Sequence, residues 1–397
     1  MTVHNGIHGN TRAVPAEPSD EVADWLGSGV VALTGSPSGP PLVPPGRAAT
    51  LAREVATRCG LPIDGARLLS ERTAFTGHHR RGPVSAGGSC RILPTADGWA
   101  AISCARPDDP LLLGALVGAE LPADPWPAVA RWLRSHSGDE LIARATPLGV
   151  AAGPIRARAG HLPRPVRARS AAGLLVVDFS ALWAGPLCAH LLGLLGAEIV
   201  KVETPQRPDG ARSGNPGFYR LLHAGHRSVV LDPATGEGRR AMARLVEAAD
   251  VVIEASRPRA LARFGLDAEA AAAAGTIWVS ITAYGRDSDR VGFGDDVAAA
   301  SGLVVAGDDG TPYFCGDALA DPLTGLIATE LALSAPEGRL IDVAMADVVA
   351  STLDSELPGG LVPEGRPLAV PHRRDARGTA PRSGEHTAEL LRELGLR

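Results

Sequence analysis

The stretch LVVDFSALWAGPLCAHLLGLLGAEIVKVETP (175–205) decides the fold class. It contains an apolar run that starts at 174, a helical stretch that begins near Gly185, and a second apolar run at 198–203. This order predicts a β-α-β unit with two parallel strands. Pro186 suits the first helical turn, because its missing N–H has no partner there in any case. No GxGxxG follows the first strand, so a dinucleotide-binding fold is not indicated.

The same alternation continues towards the C-terminus. Apolar runs at 228–232, 251–256 and 277–285 are separated by helical stretches at 236–249 and 258–264. Strands that alternate with helices predict a parallel sheet with helices on both faces. We therefore expect an α/β fold whose large domain carries a Rossmann-like parallel sheet.

A second, smaller α/β domain is expected before the large one. Its signals are one long strand-like run at 91–105, a short helix at 126–137, and the segment DELIARATPLGVAAGPI at 139–155. The predicted division of the chain is a flexible tail (1–19), a repeat region and linker (20–80), the small domain (81–156), a basic, Pro-containing linker (157–172), the large domain (173–355), and a C-terminal tail with a closing helix (356–397).

The region 20–80 is interpreted as a degenerate repeat. Residues 24–52 weakly parallel residues 296–328, and Thr50 stands where the later copy has Asp321. If that carboxylate does chemistry, only the second copy can do it.

Composition excludes several classes of function. A formal net charge of −5 offers no basic field for nucleic acid. Five scattered cysteines without a CxxC pair indicate neither a disulfide framework nor a zinc ribbon, and a reducing cytoplasm fits best. We expect no membrane partner, because neither a secretory signal nor an apolar run of about 20 residues occurs. The HxxH pair His223 and His226, interpreted as a loop, and His78-His79 lack further ligands, so no metal is expected.

Taken in order, the motifs resemble the family III CoA-transferases, the formyl-CoA and carnitine-CoA transferase group that includes the α-methylacyl-CoA racemases. The segments that carry the resemblance are 175–205, 223–266, 280–285, ALADPLTG at 318–325, and 380–396. Residues 87–103 and 139–155 resemble the family's small domain, which normally follows the catalytic segment. The chain is therefore interpreted as a permuted member.

The resemblance implies that Asp321 is the nucleophile of a CoA transfer between carboxylic acids. Such chemistry needs no metal and no tightly bound cofactor, because a carboxylate can hold first the acyl group and then CoA. The substrates would be an acyl-CoA and an acceptor acid. The alternative for Asp321 is a helix N-cap, since Asp is favoured there.

The resemblance also implies a set of CoA-binding residues. Gly87 and Gly88 resemble the family's glycine loop, where missing side chains let backbone approach a thioester; a plain turn is the alternative. Arg263 could pair with a CoA phosphate, or be an exposed helix arginine. Lys201, the only lysine, invites a special role, but snorkelling from a sheet edge explains it as well. The remaining expected contacts are Leu182, Trp183, Ala184, Leu231 and Ala260.

Departures from the family pattern keep two other functions open. A small polar residue often stands where Trp183 is, an arginine or proline where Thr204 is, and the family's NFRP and NKRS motifs are altered at Ala255, Ser256 and His226. These changes would suit a catalytically degenerate CoA-binding or scaffold protein. The histidine that the racemases use aligns with Asp295, so the imidazole is absent and a racemase or epimerase function is disfavoured. The resemblance further implies a homodimer.

Overall fold

The computed structural model describes residues 20–163, 165, 168–256, 258–353 and 356–396. The tail predicted at 1–19 lies outside the described residues. A mixed α/β fold is present, as the alternating pattern predicts.

Residues 20–80 form a small helical unit. Asp64 caps its third helix by accepting hydrogen bonds from the Ala66 and Arg67 amides. The unit packs on the large domain through buried side chains such as Trp25, Val55 and Leu69. Its elements are α1 (Asp20–Ser28), a short 3₁₀ helix (Val31–Leu33), β1 (Leu42–Val43), α2 (Ala48–Arg58), α3 (Gly65–Leu68) and α4 (Thr73–Thr76).

The next unit is a three-stranded antiparallel sheet covered by helices. The run 91–105 is a hairpin and not one strand, because a turn at 95–98 reverses the chain. Ser137 and Glu140 form a reciprocal capping box at the start of its last helix. Its elements are β2 (Cys90–Pro94), β3 (Trp99–Ser103), α5 (Asp109–Val117), α6 (Trp126–Leu133), α7 (Gly138–Leu148) and β4 (Ala152–Pro154).

The large unit begins with the β-α-β segment that the sequence predicts. Its first half contains β5 (Leu175–Asp178), α8 (Ala184–Leu194), β6 (Glu198–Glu203), a short 3₁₀ helix (Gly210–Ser213), α9 (Pro216–His223), β7 (Arg227–Val230), α10 (Gly236–Ala248) and β8 (Val251–Glu254). Its second half contains α11 (Pro258–Ala262), α12 (Ala268–Ala273), β9 (Ile277–Thr282), α13 (Gly294–Ala300), β10 (Val304–Ala306), β11 (Pro312–Phe314), α14 (Ala320–Ser334), β12 (Leu340–Ala344) and α15 (Met345–Ala350).

Six of these strands form one parallel sheet in the order β12-β9-β8-β5-β6-β7. Alternate residues of each strand face opposite cores. Val176 and Val279 belong to the core shared with α8 and α14, whereas Val177 and Trp278 belong to the core shared with α10. Burial of both faces explains why these strands are near-continuous apolar runs.

The C-terminal segment ties the units together. Strand β13 (Gly360–Leu361) pairs with β1, and α16 (Thr387–Glu393) packs beside β7, where the Thr387 hydroxyl accepts a hydrogen bond from the Val230 amide (3.0 Å). A closing helix is thus present inside the predicted segment 380–396. Among the described residues, no helix combines the length and apolar character needed to cross a bilayer.

Candidate active site

Asp321 lies in the first turn of α14. The N-cap position of the helix is Leu319 and Asp321 is its second helical residue, so the N-cap alternative is wrong. Ala318 just before it has a positive φ of 49°, a conformation that is strained for alanine. The tight turn is closed by the Asp321 amide, which donates to the Ala318 carbonyl (2.9 Å).

The Asp321 carboxylate is seated between the starts of α8 and α13. The backbone amide of Ala184 faces it and favours its ionised form. On the other side lies Gly294, where a Cβ atom would overlap Oδ2 of Asp321. Gly325, one turn further along α14, permits this close packing, since a Cβ there would lie 2.8 Å from the Ala184 carbonyl oxygen. The Asp321 carboxylate is therefore held against the backbone, and the residue remains partly exposed to solvent.

Burial raises the pKa of Asp321 to about 7, against the opposing effects of Arg72 and the Ala184 amide. Asp295 and Asp317 add to the increase, because a second negative charge nearby disfavours ionisation. A group with this pKa is present in both protonation states near neutral pH. Such a carboxylate is a stronger base and nucleophile than an ordinary aspartate.

Asp295 and Asp317 place two more carboxyl groups beside Asp321. Burial and the Asp317 charge raise the pKa of Asp295, against the opposing effect of Ser85. The Asp295 carboxylate accepts a hydrogen bond from the Ala318 amide (2.8 Å). For Asp317, burial acts to raise the pKa, but Arg72 and His78 outweigh it and lower the pKa well below the usual range. The cluster therefore contains one firmly ionised carboxylate and two that hold their protons more tightly.

The region 20–80 contributes the partners of Asp317, which sequence reasoning missed. Arg72 donates from Nε (2.9 Å) and Nη2 to the two carboxylate oxygens, and Thr73 donates from its hydroxyl (3.0 Å). His78 lies with Nδ1 3.4 Å from Asp317. No local pattern signals these contacts, because the partners are about 240 residues apart in the chain. Thr50 itself lies buried in the first turn of α2, and the repeat relationship stays a prediction.

Trp183 and Leu182 form the turn that precedes α8. Trp183 is 3% exposed and packs edge-on against Phe218. The Arg72 guanidinium lies over its ring, 4.6 Å from the centroid. Leu182 has a positive φ of 70° and is 45% exposed. The turn thus presents Leu182 to solvent and directs the Ala184 amide at Asp321.

Lys201 holds this turn from beneath, so the explanation by snorkelling at a sheet edge is wrong. Strand β6 lies between β5 and β7, and Lys201 is 1% exposed. Its ammonium group pairs with Asp178 (3.3 Å) and Asp209 (3.1 Å) and donates to the Ser180 carbonyl. Asp209 in turn accepts a hydrogen bond from the Leu182 amide (3.0 Å).

The Gly87-Gly88 pair lies at the edge of the carboxylate cluster. It belongs to a turn closed by the Gly88 amide, which donates to the Ser85 carbonyl (2.8 Å). Its role as the glycine loop beside a thioester stays a prediction. A Cβ on Gly87 would lie 3.3 Å from the His78 ring. Because Ser85 lowers the pKa of Asp295, the turn lies within reach of the cluster.

The other expected CoA contacts lie further from Asp321 along the chain. The Leu231 side chain is buried in the core beneath α10, so only its backbone could meet a ligand. Ala260 is half-buried in α11, and Arg263 just after this helix is exposed. Next to them is a cleft of about 440 Å³, whose lining includes Glu254, Asp267, Glu269 and Arg286. Its acidic lining does not suit a phosphate group.

Only one residue of the histidine pair lies in a loop. His223 is the last residue of α9, whereas His226 lies in the connection just before β7, and both are buried. Burial is the main cause that lowers the pKa of both. Throughout the described part of the chain, no three His, Cys, Asp or Glu residues are grouped so that they could hold a metal ion. All five cysteines are free, and the cytoplasmic location stays a prediction.

Similarity to known proteins covers the part of the chain that contains Asp321 and the turn before α8. A family model described as CoA-transferase family III matches residues 171–386, more than half of the chain. The succinate–glutarate CoA-transferase of Agrobacterium fabrum is 33% identical over 230 residues, 51% of this chain and 57% of that protein. The succinyl-CoA–D-citramalate CoA-transferase of Chloroflexus aurantiacus is 29% identical over 204 residues, 46% of this chain and 51% of that protein.

The chain spans about half the length of these relatives. Among solved structures, a CAIB/BAIF family protein from Brucella suis is similar with 30% sequence identity and a TM-score of 0.42, over 46% of this chain and 55% of that one. The family match begins at residue 171, so Arg72, Thr73 and His78 lie outside it.

Proposed function

Because the chain belongs to CoA-transferase family III, we propose that it moves coenzyme A from an acyl-CoA to a carboxylic acid, with Asp321 as the nucleophile. The observation that carries the proposal is the seat of Asp321, whose carboxylate lies directly against the backbone of Gly294 and has a pKa raised by burial to about 7. A carboxylate in this state is ionised often enough to attack and basic enough to react.

The reaction proceeds through two covalent intermediates. Asp321 attacks the donor thioester, which forms a mixed anhydride and releases the CoA thiolate. The thiolate attacks the aspartyl carbonyl, releases the donor acid and leaves an aspartyl-CoA thioester. The acceptor carboxylate attacks this thioester to give a second anhydride and thiolate, and thiolate attack on the new acyl group yields the product and free Asp321. No step needs an oxidant, a metal or a tightly bound cofactor.

The turn before α8 and the Gly87-Gly88 turn are the proposed contacts of the thioester arm. Leu182 is exposed there, and Ala184 and Trp183 bring the backbone to Asp321. Gly87 is exposed beside His78. Both intermediates are sensitive to water, so close backbone packing around Asp321 would protect them. The CoA contacts proposed for the backbone of Leu231, for Ala260 and for Arg263 lie further along the chain.

The test is chemical trapping of the intermediate. Wild-type protein is mixed with hydroxylamine and one of succinyl-CoA, acetyl-CoA or butyryl-CoA, and intact and peptide masses are measured. Hydroxylamine attacks an activated aspartyl carbonyl and leaves a hydroxamate on Asp321. We expect this modification in the wild type and its absence in Asp321→Asn. If none of the three thioesters produces it, the proposed function is wrong.

Two other functions are separated by the same samples. A buried Trp183 at a position where the family often has a small polar residue favours a CoA-binding scaffold, which would bind CoA without Asp321 modification. A racemase would exchange the α-proton of the acyl group in D₂O without an added acid. At the aligned position the structure has the Asp295 carboxyl group within the same cluster.

The family resemblance also leads us to propose a homodimer. Light scattering that shows only a monomer at micromolar concentration would contradict it.

A further inference from the structure

We propose that Arg72 binds the carboxylate of the acceptor acid beside Asp321. This inference rests on the proposed CoA transfer and names the residue that receives the second substrate. Arg72 belongs to the helical region 20–80, outside the segment 171–386 that matches the family.

The contacts of Arg72 place its side chain at the reacting group. Its Nε and Nη2 bond Asp317, which lies four residues before Asp321 in the turn that precedes α14. Its guanidinium carbon lies over the Trp183 ring, next to Ala184, whose amide faces Asp321. Arg72 is thereby fixed between the two elements that hold the nucleophile.

One edge of the guanidinium remains available. The two bonds to Asp317 use Nε and Nη2, and no hydrogen bond from Nη1 to a described residue is present. The Arg72 side chain is 25% exposed to solvent, whereas the Asp317 side chain is fully buried. A planar guanidinium with a free N–H edge is well suited to a carboxylate.

The charge around Asp321 makes such a group necessary. An acceptor acid arrives as an anion, and it must approach a centre that already contains Asp295 and Asp317. Like charges repel one another, and burial weakens the screening by water. Among the charged groups that affect Asp321, Arg72 has the largest favourable influence on the ionised form. The guanidinium is thus the natural partner for an incoming carboxylate.

A purely structural role for Arg72 predicts a different behaviour. Removing Arg72 alone would leave Asp317 buried without its main partner, which is destabilising whatever the role in catalysis. The double variant Arg72→Gln/Asp317→Asn removes both charges together and keeps side chains of similar shape. If Arg72 serves only to neutralise Asp317, this double variant should behave like the wild type.

The region 20–80 offers a matched control. Arg58 on α2 pairs with Glu330, a buried residue of α14, through Nε (2.5 Å) and Nη2 (3.1 Å). The pair Arg58→Gln/Glu330→Gln therefore removes the same kind of contact between the same two parts of the chain. Glu330 lies more than two helical turns beyond Asp321.

The experiment measures isotope exchange between a labelled free acid and its own CoA ester, with whichever of the three thioesters traps Asp321 fastest in the wild type. In Arg72→Gln/Asp317→Asn we expect the apparent KM of the free acid to rise about 10- to 100-fold, because one charge-assisted hydrogen bond to the acid is lost. The KM of the thioester should change less than about threefold, because thioester binding needs no bound carboxylate. Loss of the two charges also alters the pKa of Asp321. Trapping is therefore compared at about pH 9, where Asp321 is ionised in both proteins, and its rate there should also change less than about threefold. Arg58→Gln/Glu330→Gln should leave all three values unchanged.

Two failures are distinguishable. If wild-type Asp321 is not trapped, the proposed function falls and this inference falls with it. If wild-type Asp321 is trapped, two results with Arg72→Gln/Asp317→Asn would overturn only the inference about Arg72. One is a KM for the free acid equal to that of the wild type, and the other is an equal loss of trapping and of isotope exchange.

Discussion

Gly294 and Asp321 are in direct contact across the candidate active site, because α13 and α14 meet where each begins. A Cβ atom on Gly294 would overlap Oδ2 of Asp321 and would lie 2.6 Å from the Ala318 carbonyl oxygen. The absence of a side chain at 294 is therefore a requirement for the position of the carboxylate.

Gly294→Ala should displace Asp321 and impair the reaction more than the fold. We expect a loss of about 1–3 kcal/mol in the free energy of unfolding from overpacking, and at least about a 100-fold slower trapping of Asp321, since small misplacements of a reacting group are costly. Gly27→Ala is the control, because no atom lies within 4 Å of the added Cβ. Normal trapping in Gly294→Ala would contradict the contact.

The raised pKa of Asp321 predicts a stability difference that depends on pH. Its pKa of about 7 in the fold exceeds the value near 3.9 expected in the unfolded chain, so the folded state favours the protonated form. The stability from this group is complete below about pH 4 and is lost as pH rises through about 7. Asp321→Asn should therefore be more stable than the wild type at pH 8, by on the order of 2 kcal/mol because the side chain keeps partial access to solvent, and little different at pH 4.5.

Thermal unfolding of both proteins at the two pH values measures this. Asp309→Asn is the control with the opposite sign, since hydrogen bonds from Thr311 lower the pKa of the exposed Asp309. It should give no gain in Tm at pH 8. An Asp321→Asn variant whose Tm differs from the wild type equally at both pH values would argue against a raised pKa.

Lys201→Met should destabilise the fold strongly. The substitution leaves the carboxylates of Asp178 and Asp209 buried without their cation, which typically costs about 3–5 kcal/mol. Denaturant unfolding measures the loss. The control is Arg227→Met in the neighbouring strand, where the acidic partners Glu198 and Glu393 are exposed and the expected loss is below about 1 kcal/mol. Equal losses in the two variants would show that the Lys201 network does not stabilise the turn.

Arg263→Ala tests the proposed phosphate contact of CoA. Arg263 is exposed, so its removal should leave the Tm unchanged while the KM of the thioester rises about 3- to 10-fold at low salt, with a smaller effect at high salt because the interaction is screened. Arg244→Ala on α10, 64% exposed, is the control. A KM unaffected at any salt concentration would remove Arg263 from the binding residues.

The parallel sheet was predictable from the chain because its information is local. Apolar runs such as 198–203 and 251–256 are buried on both faces and separated by helical periods, so each reports its own environment. The hairpin at 91–105 was harder to predict from the sequence, because the short turn between its two strands hardly alters the strand-like composition of the whole segment.

Within the candidate site, the motif that contains Asp321 and the turn from Leu182 to Ala184 could be identified from the amino-acid sequence, because both are short contiguous segments. The bond between Arg72 and Asp317 and the interior position of Lys201 in the sheet, beneath that turn, became apparent only in the folded protein. These contacts arise from the packing of distant segments. Their strength comes from burial, which removes water from charged groups and makes the loss of either partner costly. Burial depends on the whole fold and leaves no signal in the residues next to it.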